Sequence, residues 1–287
     1  LVFQDNVLRA ITDDGAFRVI AADTTATVRG AIAAQRPDGP ENARTFADLL
    51  TGAVLVRESM APDNRLQAIL VGDNPRMRMI ADTHPDGSTR GLIQLPPNTR
   101  AMPYGERGVL QVARTLHNGK LHQGVVQVPQ GTPTISSAFM AYMQESEQVV
   151  TVLAVGCHMA AGEVVAAGGY MVQLLPEIAE GPLMVMTERL RDFEDIVPLL
   201  ARGAASPKEL LAETLYGMPY TLVGEGRVQF GCWCSAERLF GSFASLPKAD
   251  IQSLLDGGKT LEVECDYCRK NYEFSVEQLK TLLEPSN

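Results

Sequence analysis

Gly231-Cys232-Trp233-Cys234-Ser235 and Cys265-Asp266-Tyr267-Cys268 are two close cysteine pairs separated by the thirty residues 235–264. Pairs of this kind on separate turns can converge tetrahedrally on one zinc ion, with Zn–S bonds of about 2.3 Å. Four thiolates fill the coordination shell and leave no position for water, which points to structural or redox chemistry and away from hydrolysis. The expectation is one Zn2+ per chain on Cys232, Cys234, Cys265 and Cys268. Four unrelated buried cysteines are the competing reading, and the CxC and CxxC spacing disfavours it. The segment carrying the pairs, 230–287, has 58 residues. Domains of that size often depend on a metal for stability, and structural zinc supplies about 10–16 kcal/mol in small peptides.

Thiolates are also what oxidants attack. The CxC and CxxC partners can each close a local disulfide, and Glu262, Glu264 and Asp266 crowd the second pair with negative charge that favours the metal over free thiolates. The residue chemistry alone leaves a permanently structural zinc ribbon open.

Working back from the cysteines, the chain changes character twice. Between 178 and 229 the spacing predicts helices: Leu183 to Ala201, interrupted by Pro198, then a helix opened by the capping box Ser206-Pro207-Lys208-Glu209 and ended by Gly217. From Pro176 strands are expected to stop. The apolar residues of this connector (Leu190, Phe193, Ile196, Val197, Leu199, Leu200, Leu210, Leu211, Leu215) need a cover that a two-helix segment cannot supply by itself.

Upstream, residues 1–177 read as a mixed α/β domain with largely antiparallel sheets. Strands are expected at Phe17–Ala22, Leu66–Val71, Met77–Ala81 and Gly91–Leu95. Hairpins are expected across His117-Asn118-Gly119-Lys120 and across Ala160–Glu163. A helix capped by Asp23 or Thr24 carries Val28, Ala31 and Ile32, and an amphipathic one carries Phe46, Leu49, Leu50, Ala53 and Val54. Thr134 caps a third, running through Gln148. After the connector, helices are expected after Ser235, over Asp250–Leu255 and after Ser275, with a hairpin around Cys265–Cys268. The fold class is therefore α+β, in three parts: 1–177, 178–229 and 230–287.

A net charge of −9 disfavours a phosphate-gripping surface, and the hydrophobic and charged fractions of 45 % and 21 % are those of an ordinary folded chain. No apolar run reaches membrane-spanning length. Leu1–Asp14 mixes charges early with no signal-peptide core, so a soluble, cytoplasmic chain is expected.

At the cysteines the sequence resembles the heat shock protein 33 family of redox-regulated holdase chaperones. Phe230–Arg238 is similar to the family's first cysteine box, and Val263–Cys268 with Tyr272 and Phe274 to its second. Tyr142-Met143-Gln144-Glu145-Ser146-Glu147-Gln148 resembles a Tyr…Ser-Glu-Gln stretch of the family, and Ala166–Pro176 its Gly-Gly…Gln-Leu-Leu-Pro strand. The resemblance implies an ATP-independent holdase, not an enzyme, that is inactive when reduced and zinc-bound. It further implies that oxidation forms disulfides Cys232–Cys234 and Cys265–Cys268, releases zinc, unfolds tail and linker, and exposes a surface for unfolding client proteins, usually as a homodimer. Neither nucleic acid nor membrane is an expected partner.

CxC…CxxC fingers also serve in zinc ribbons that bind nucleic acid or a protein partner without redox switching, but this tail offers only Arg269-Lys270 and scattered lysines among many acids. A cysteine enzyme would use Cys157 beside His158. Neighbours on a strand point to opposite faces, so Cys157 reads as a buried structural residue. His84, His117 and His122 read as surface or hairpin residues. Met184 and Met186 of the connector tempt one toward a flexible binding surface, but most of the chain's methionines read as core gap-fillers. Gly168-Gly169 reads as a strand kink or bulge and not a phosphate loop.

Overall fold

The computed structural model describes residues 5–116, 118–175 and 180–283. Two compact units divide the chain, Leu1–Gly231 and Cys232–Asn287. In the first, the elements run β1 (Asn6–Thr12), β2 (Phe17–Asp23), α1 (Thr25–Gln35), α2 (Pro40–Glu58), β3 (Arg65–Val71), β4 (Arg78–Thr83), β5 (Ser88–Gln94), β6 (Val109–Thr115) and β7 (Leu121–Gln127). They continue with α3 (Ile135–Glu145), β8 (Thr151–Ala160), β9 (Glu163–Leu174), α4 (Glu180–Arg191), α5 (Val197–Ala201), α6 (Pro207–Thr214), β10 (Tyr220–Arg227) and β11 (Gln229–Phe230). The second unit holds α7 (Ala236–Phe243), α8 (Lys248–Asp256), β12 (Leu261–Glu264), β13 (Asn271–Phe274) and α9 (Val276–Lys280).

Alternation along β2 explains the architecture of the first unit. Ile20 and Ala22 point into one apolar core, and Phe17, Val19 and Ala21 into another. A strand apolar on both faces must be covered on both. β2 sits at the centre of a five-stranded antiparallel sheet ordered β10-β1-β2-β9-β8. Helices α1, α2 and α3 pack on one face and bridge to a second sheet, ordered β11-β5-β4-β3-β6-β7. That sheet is antiparallel except for the short β11–β5 pair.

The Phe46–Val54 stripe belongs to a helix that is buried almost all round and not amphipathic, because α2 lies between the two sheets. Helix α1 begins after Thr24, whose hydroxyl bonds Thr51 instead of the helix end. Asp23 accepts from Thr25 N–H at 2.9 Å, and the distant Asp5 carboxylate accepts from Ala26 and Thr27 at 2.9 and 2.6 Å. Thr134 caps α3 through a reciprocal pair with Ser137, but the helix ends at Glu145, with Gln148 at φ 58°. The β8–β9 hairpin turns through Ala161 and Gly162, both at positive φ, as its sequence requires. His117 lies outside the described residues; strands β6 and β7 pair on either side of it. Gly168 and Gly169 form neither kink nor bulge, since β9 keeps its register there on both sides. They are close-approach positions: a Cβ on either would come within 2.6 Å of a neighbouring strand's carbonyl oxygen.

The connector finds its cover on the free face of the five-stranded sheet. Met186, Leu190, Ile196, Leu199, Leu200, Leu210, Leu211 and Leu215 are all buried in one cluster with Phe17, Val19, Ala21, Tyr170 and Val172. Met186 is thus core, whereas Met184 is exposed. Pro198 lies in the first turn of α5 and starts that helix instead of interrupting a longer one. Ser206 and Glu209 form the expected capping box of α6. The Tyr170 hydroxyl donates to the Phe193 carbonyl at 3.0 Å, a polar tie between cover and sheet.

The expectation that strands stop at Pro176 is corrected by β10, which pairs along β1, and by β11. Two glycines and the exposed neighbours Leu222 and Val223 break the apolar alternation of β10, so backbone pairing at a sheet edge makes this strand. Leu211→Ala in the cover should cost about 2–5 kcal/mol of unfolding free energy in urea titrations. Leu222→Ala, on the exposed edge strand, should change it by less than about 0.5 kcal/mol.

Candidate metal and redox centre

The second unit brings all four predicted cysteines together: one sulfur from each of Cys232, Cys234, Cys265 and Cys268 lies within 4.8 Å of the others. Cys234 immediately precedes Ser235, whose hydroxyl caps α7 by accepting from Arg238 N–H at 3.2 Å. Arg238 in turn donates to the Trp233 carbonyl at 2.9 Å, bracing the first pair's loop. Cys265 and Cys268 occupy the turn between β12 and β13. There Cys265 N–H donates to Lys270 O at 2.9 Å and Arg269 N–H to Cys265 O at 2.8 Å, with Arg269 at φ 60°.

Across the pairs, Cys232 Sγ is 3.8 Å from Cys265 Sγ and Cys234 Sγ 3.4 Å from Cys268 Sγ. Four sulfurs bound tetrahedrally at about 2.3 Å would stand ~3.8 Å apart. The donor set therefore fits a thiolate-bound metal in size, chemistry and number. No disulfide joins these cysteines. Burial pushes the Cys268 thiol above its ordinary range, and the sulfurs of Cys234 and Cys232 push the same way. A cation at the centre would reverse that balance by stabilising thiolates.

Little else is buried in this unit. Among the described residues its core cluster has Cys265, Tyr272, Phe274 and Leu279 as buried members, with Phe240 and Phe243 packed on Phe274 at ring separations of 5.9 and 5.2 Å, and Ile251 is buried outside that cluster. Glu264 pairs with Arg269 at 2.9 Å, so part of the negative charge expected around the second pair is neutralised. Sequence reasoning gave Tyr272 no contact with the cysteines. Its hydroxyl lies 3.1 Å from Cys234 Sγ and donates to the Cys234 carbonyl at 3.1 Å, and the hydrogen bond with Cys234 raises the phenol's pKa. The readable signal was the short hairpin, which turns Tyr272 back toward the sulfurs.

Cys157 stands apart in the first unit. It is buried in the core between the sheets, and burial pushes its thiol up to about 12.

A family model described as Hsp33 protein matches residues 5–275. The chain belongs to the Hsp33 family. Curated relatives include the 33 kDa chaperonin of Syntrophotalea carbinolica, 29 % identical over 290 residues and matched over 98 % of this chain and 99 % of its own length. The 33 kDa chaperonin of Desulfotalea psychrophila is 30 % identical over 295 residues, with 98 % and 97 % covered. The crystal structure of the Thermotoga maritima 33 kDa chaperonin (heat shock protein 33 homolog) superposes with a TM-score of 0.84 at 22 % identity, covering 98 % of each chain, which shows the shared fold. Among the described residues no helix is long and apolar enough to cross a membrane.

Because a thiol pushed up to about 12 is almost wholly protonated below about pH 10, Cys157 of this Hsp33 chain should resist iodoacetamide from about pH 7 to pH 10 and react only once the chain is unfolded. Peptide mass mapping of alkylated protein measures this, and native-state labelling of Cys157 would contradict its burial.

Proposed function

We propose that this Hsp33 chain is a redox-regulated, ATP-independent holdase of the cytoplasm, without catalytic activity, whose clients are unfolding proteins. The observation that carries the reading is the convergence of four cysteine sulfurs within 4.8 Å in a unit with so small a buried core. A family of chaperones is the setting in which that convergence has a use.

Cys232, Cys234, Cys265 and Cys268 would hold one Zn2+ in the reduced form, and the bound ion would cross-link the loop before α7 to the β12–β13 turn. On exposure to peroxide, the two thiolates of each pair give up two electrons. An S–S bond forms, the O–O bond breaks, and with two protons taken up two waters leave. The resulting Cys232–Cys234 and Cys265–Cys268 disulfides remove the donors, and the aromatic cluster around Phe274 is too small to keep the unit folded without them.

The loss of order then passes along the chain into the linker, 178–229. Its cover of α4, α5 and α6 is attached to the five-stranded sheet mainly by apolar contact, and β10 is an edge strand. Release of that cover would uncover the apolar face around Val19, Ala21, Tyr170 and Val172. Such a face holds unfolded chains without sequence preference and without ATP, and it also supplies a surface for an oxidised homodimer. The net charge of −9 argues against nucleic acid as the partner.

Light scattering from an aggregating client, with zinc content measured in parallel, tests the reading. The reduced chain should carry one zinc and suppress aggregation weakly; after peroxide or hypochlorous acid the zinc should be gone and suppression strong. Full suppression by the reduced form, or an oxidised form that keeps zinc and stays idle, would overturn it.

A further inference from the structure

The two other segments that carried the family resemblance, Tyr142–Gln148 and Ala166–Pro176, take no part in cysteine chemistry, yet they meet. Glu147, Gln148, Gln173, Leu174 and Leu175 line one cleft of about 620 Å³ in the first unit, together with Arg18 and Arg114. That volume is typical of small-molecule sites, roughly 300–1,000 Å³.

Both arginines keep a buried Nε–H with no acceptor among the described residues. Buried donors are rarely left unmatched, and each one costs stability. Arg18 is half-buried, its Nη2 donates to the Ser59 carbonyl at 2.5 Å, and no carboxylate pairs with it among the described residues. Desolvation and the nearby Arg9 charge both work against its protonated form, which an anion would relieve. Arg114 lies 3.3 Å from Glu147, whose other oxygen accepts from the Tyr142 hydroxyl at 2.5 Å. The lining thus carries two positive charges and one negative, a surplus of one. Much of the remaining wall is apolar, including Met60, Met143, Val149 and Leu174.

We propose that this cleft binds a small monocarboxylate with an aliphatic tail, the carboxylate on Arg18 and Arg114 and the tail along Met60, Met143, Val149 and Leu174. Glu147 disfavours a dianion, and the apolar wall gives a bare anion too little to hold. The proposal concerns the reduced chain and is independent of the redox reading.

Isothermal titration of the full reduced chain with octanoate tests it, with acetate, octanol and octyl phosphate as comparison ligands. Octanoate should bind saturably with one site, and each comparison ligand should bind more weakly. Arg18→Gln and Arg114→Gln should each weaken octanoate about tenfold, the worth of one charge-assisted hydrogen bond. Arg18→Gln breaks no ion pair and loses one hydrogen bond, that to the Ser59 carbonyl, so the chain should still fold and this variant decides the matter even if Arg114→Gln fails to fold. The absence of saturable octanoate binding, binding unchanged by Arg18→Gln, or octyl phosphate or octanol binding as tightly as octanoate would overturn the assignment.

Discussion

The five-stranded sheet is apolar on both faces, and that constraint organises the whole first unit. Ile20, Ala22, Ala167 and Met171 need one cover; Phe17, Val19, Ala21, Tyr170 and Val172 need another. The first is supplied by α2, a helix buried so completely that it must have a second sheet beyond it. The second comes from α4, α5 and α6, short helices on a segment whose backbone bonds are mostly its own. One cover lies between two sheets, and the other packs on a single sheet. That asymmetry, an outer cover packed on one sheet alone, is why the proposed holdase surface is placed on that face.

The cysteine-bearing unit has far less apolar burial to rely on. Its buried cluster is a handful of side chains, and the residues that would be core in a larger domain, such as Leu239, Phe240 and Phe243, remain partly exposed. With a metal bound, four sulfurs that meet from two loops would supply what so small an apolar cluster lacks. On the proposed reading, stability concentrated in four oxidisable sulfurs could be withdrawn by oxidation, whereas the cysteine of the first unit, Cys157, is buried and held as a neutral thiol.

Much of this was legible from sequence where local chemistry decides structure. The CxC and CxxC spacing located every sulfur of the cluster, capping residues located α3, α6, α7 and α9, and turn residues located the β6–β7 and β8–β9 hairpins. What escaped was decided at long range. Helix α2 reads as amphipathic because nothing local reveals a second sheet above it. Strand β10 carries two glycines and an exposed apolar pair, and exists because β1 offers it an edge. The caps of α1 come partly from Asp5, some twenty residues upstream, and the hydroxyl of Tyr272 reaches Cys234 only through the hairpin's turn.

The central claim is that the second unit's sulfurs control whether the outer cover of the five-stranded sheet stays in place. Hydrogen exchange read by mass spectrometry on the reduced and the peroxide-oxidised chain tests it most directly. The account predicts that oxidation strips protection from residues 232–283 and also from α5, α6 and β10, while α2 and β9 remain protected. Loss of protection confined to 232–283, with α5, α6 and β10 unchanged, would contradict it.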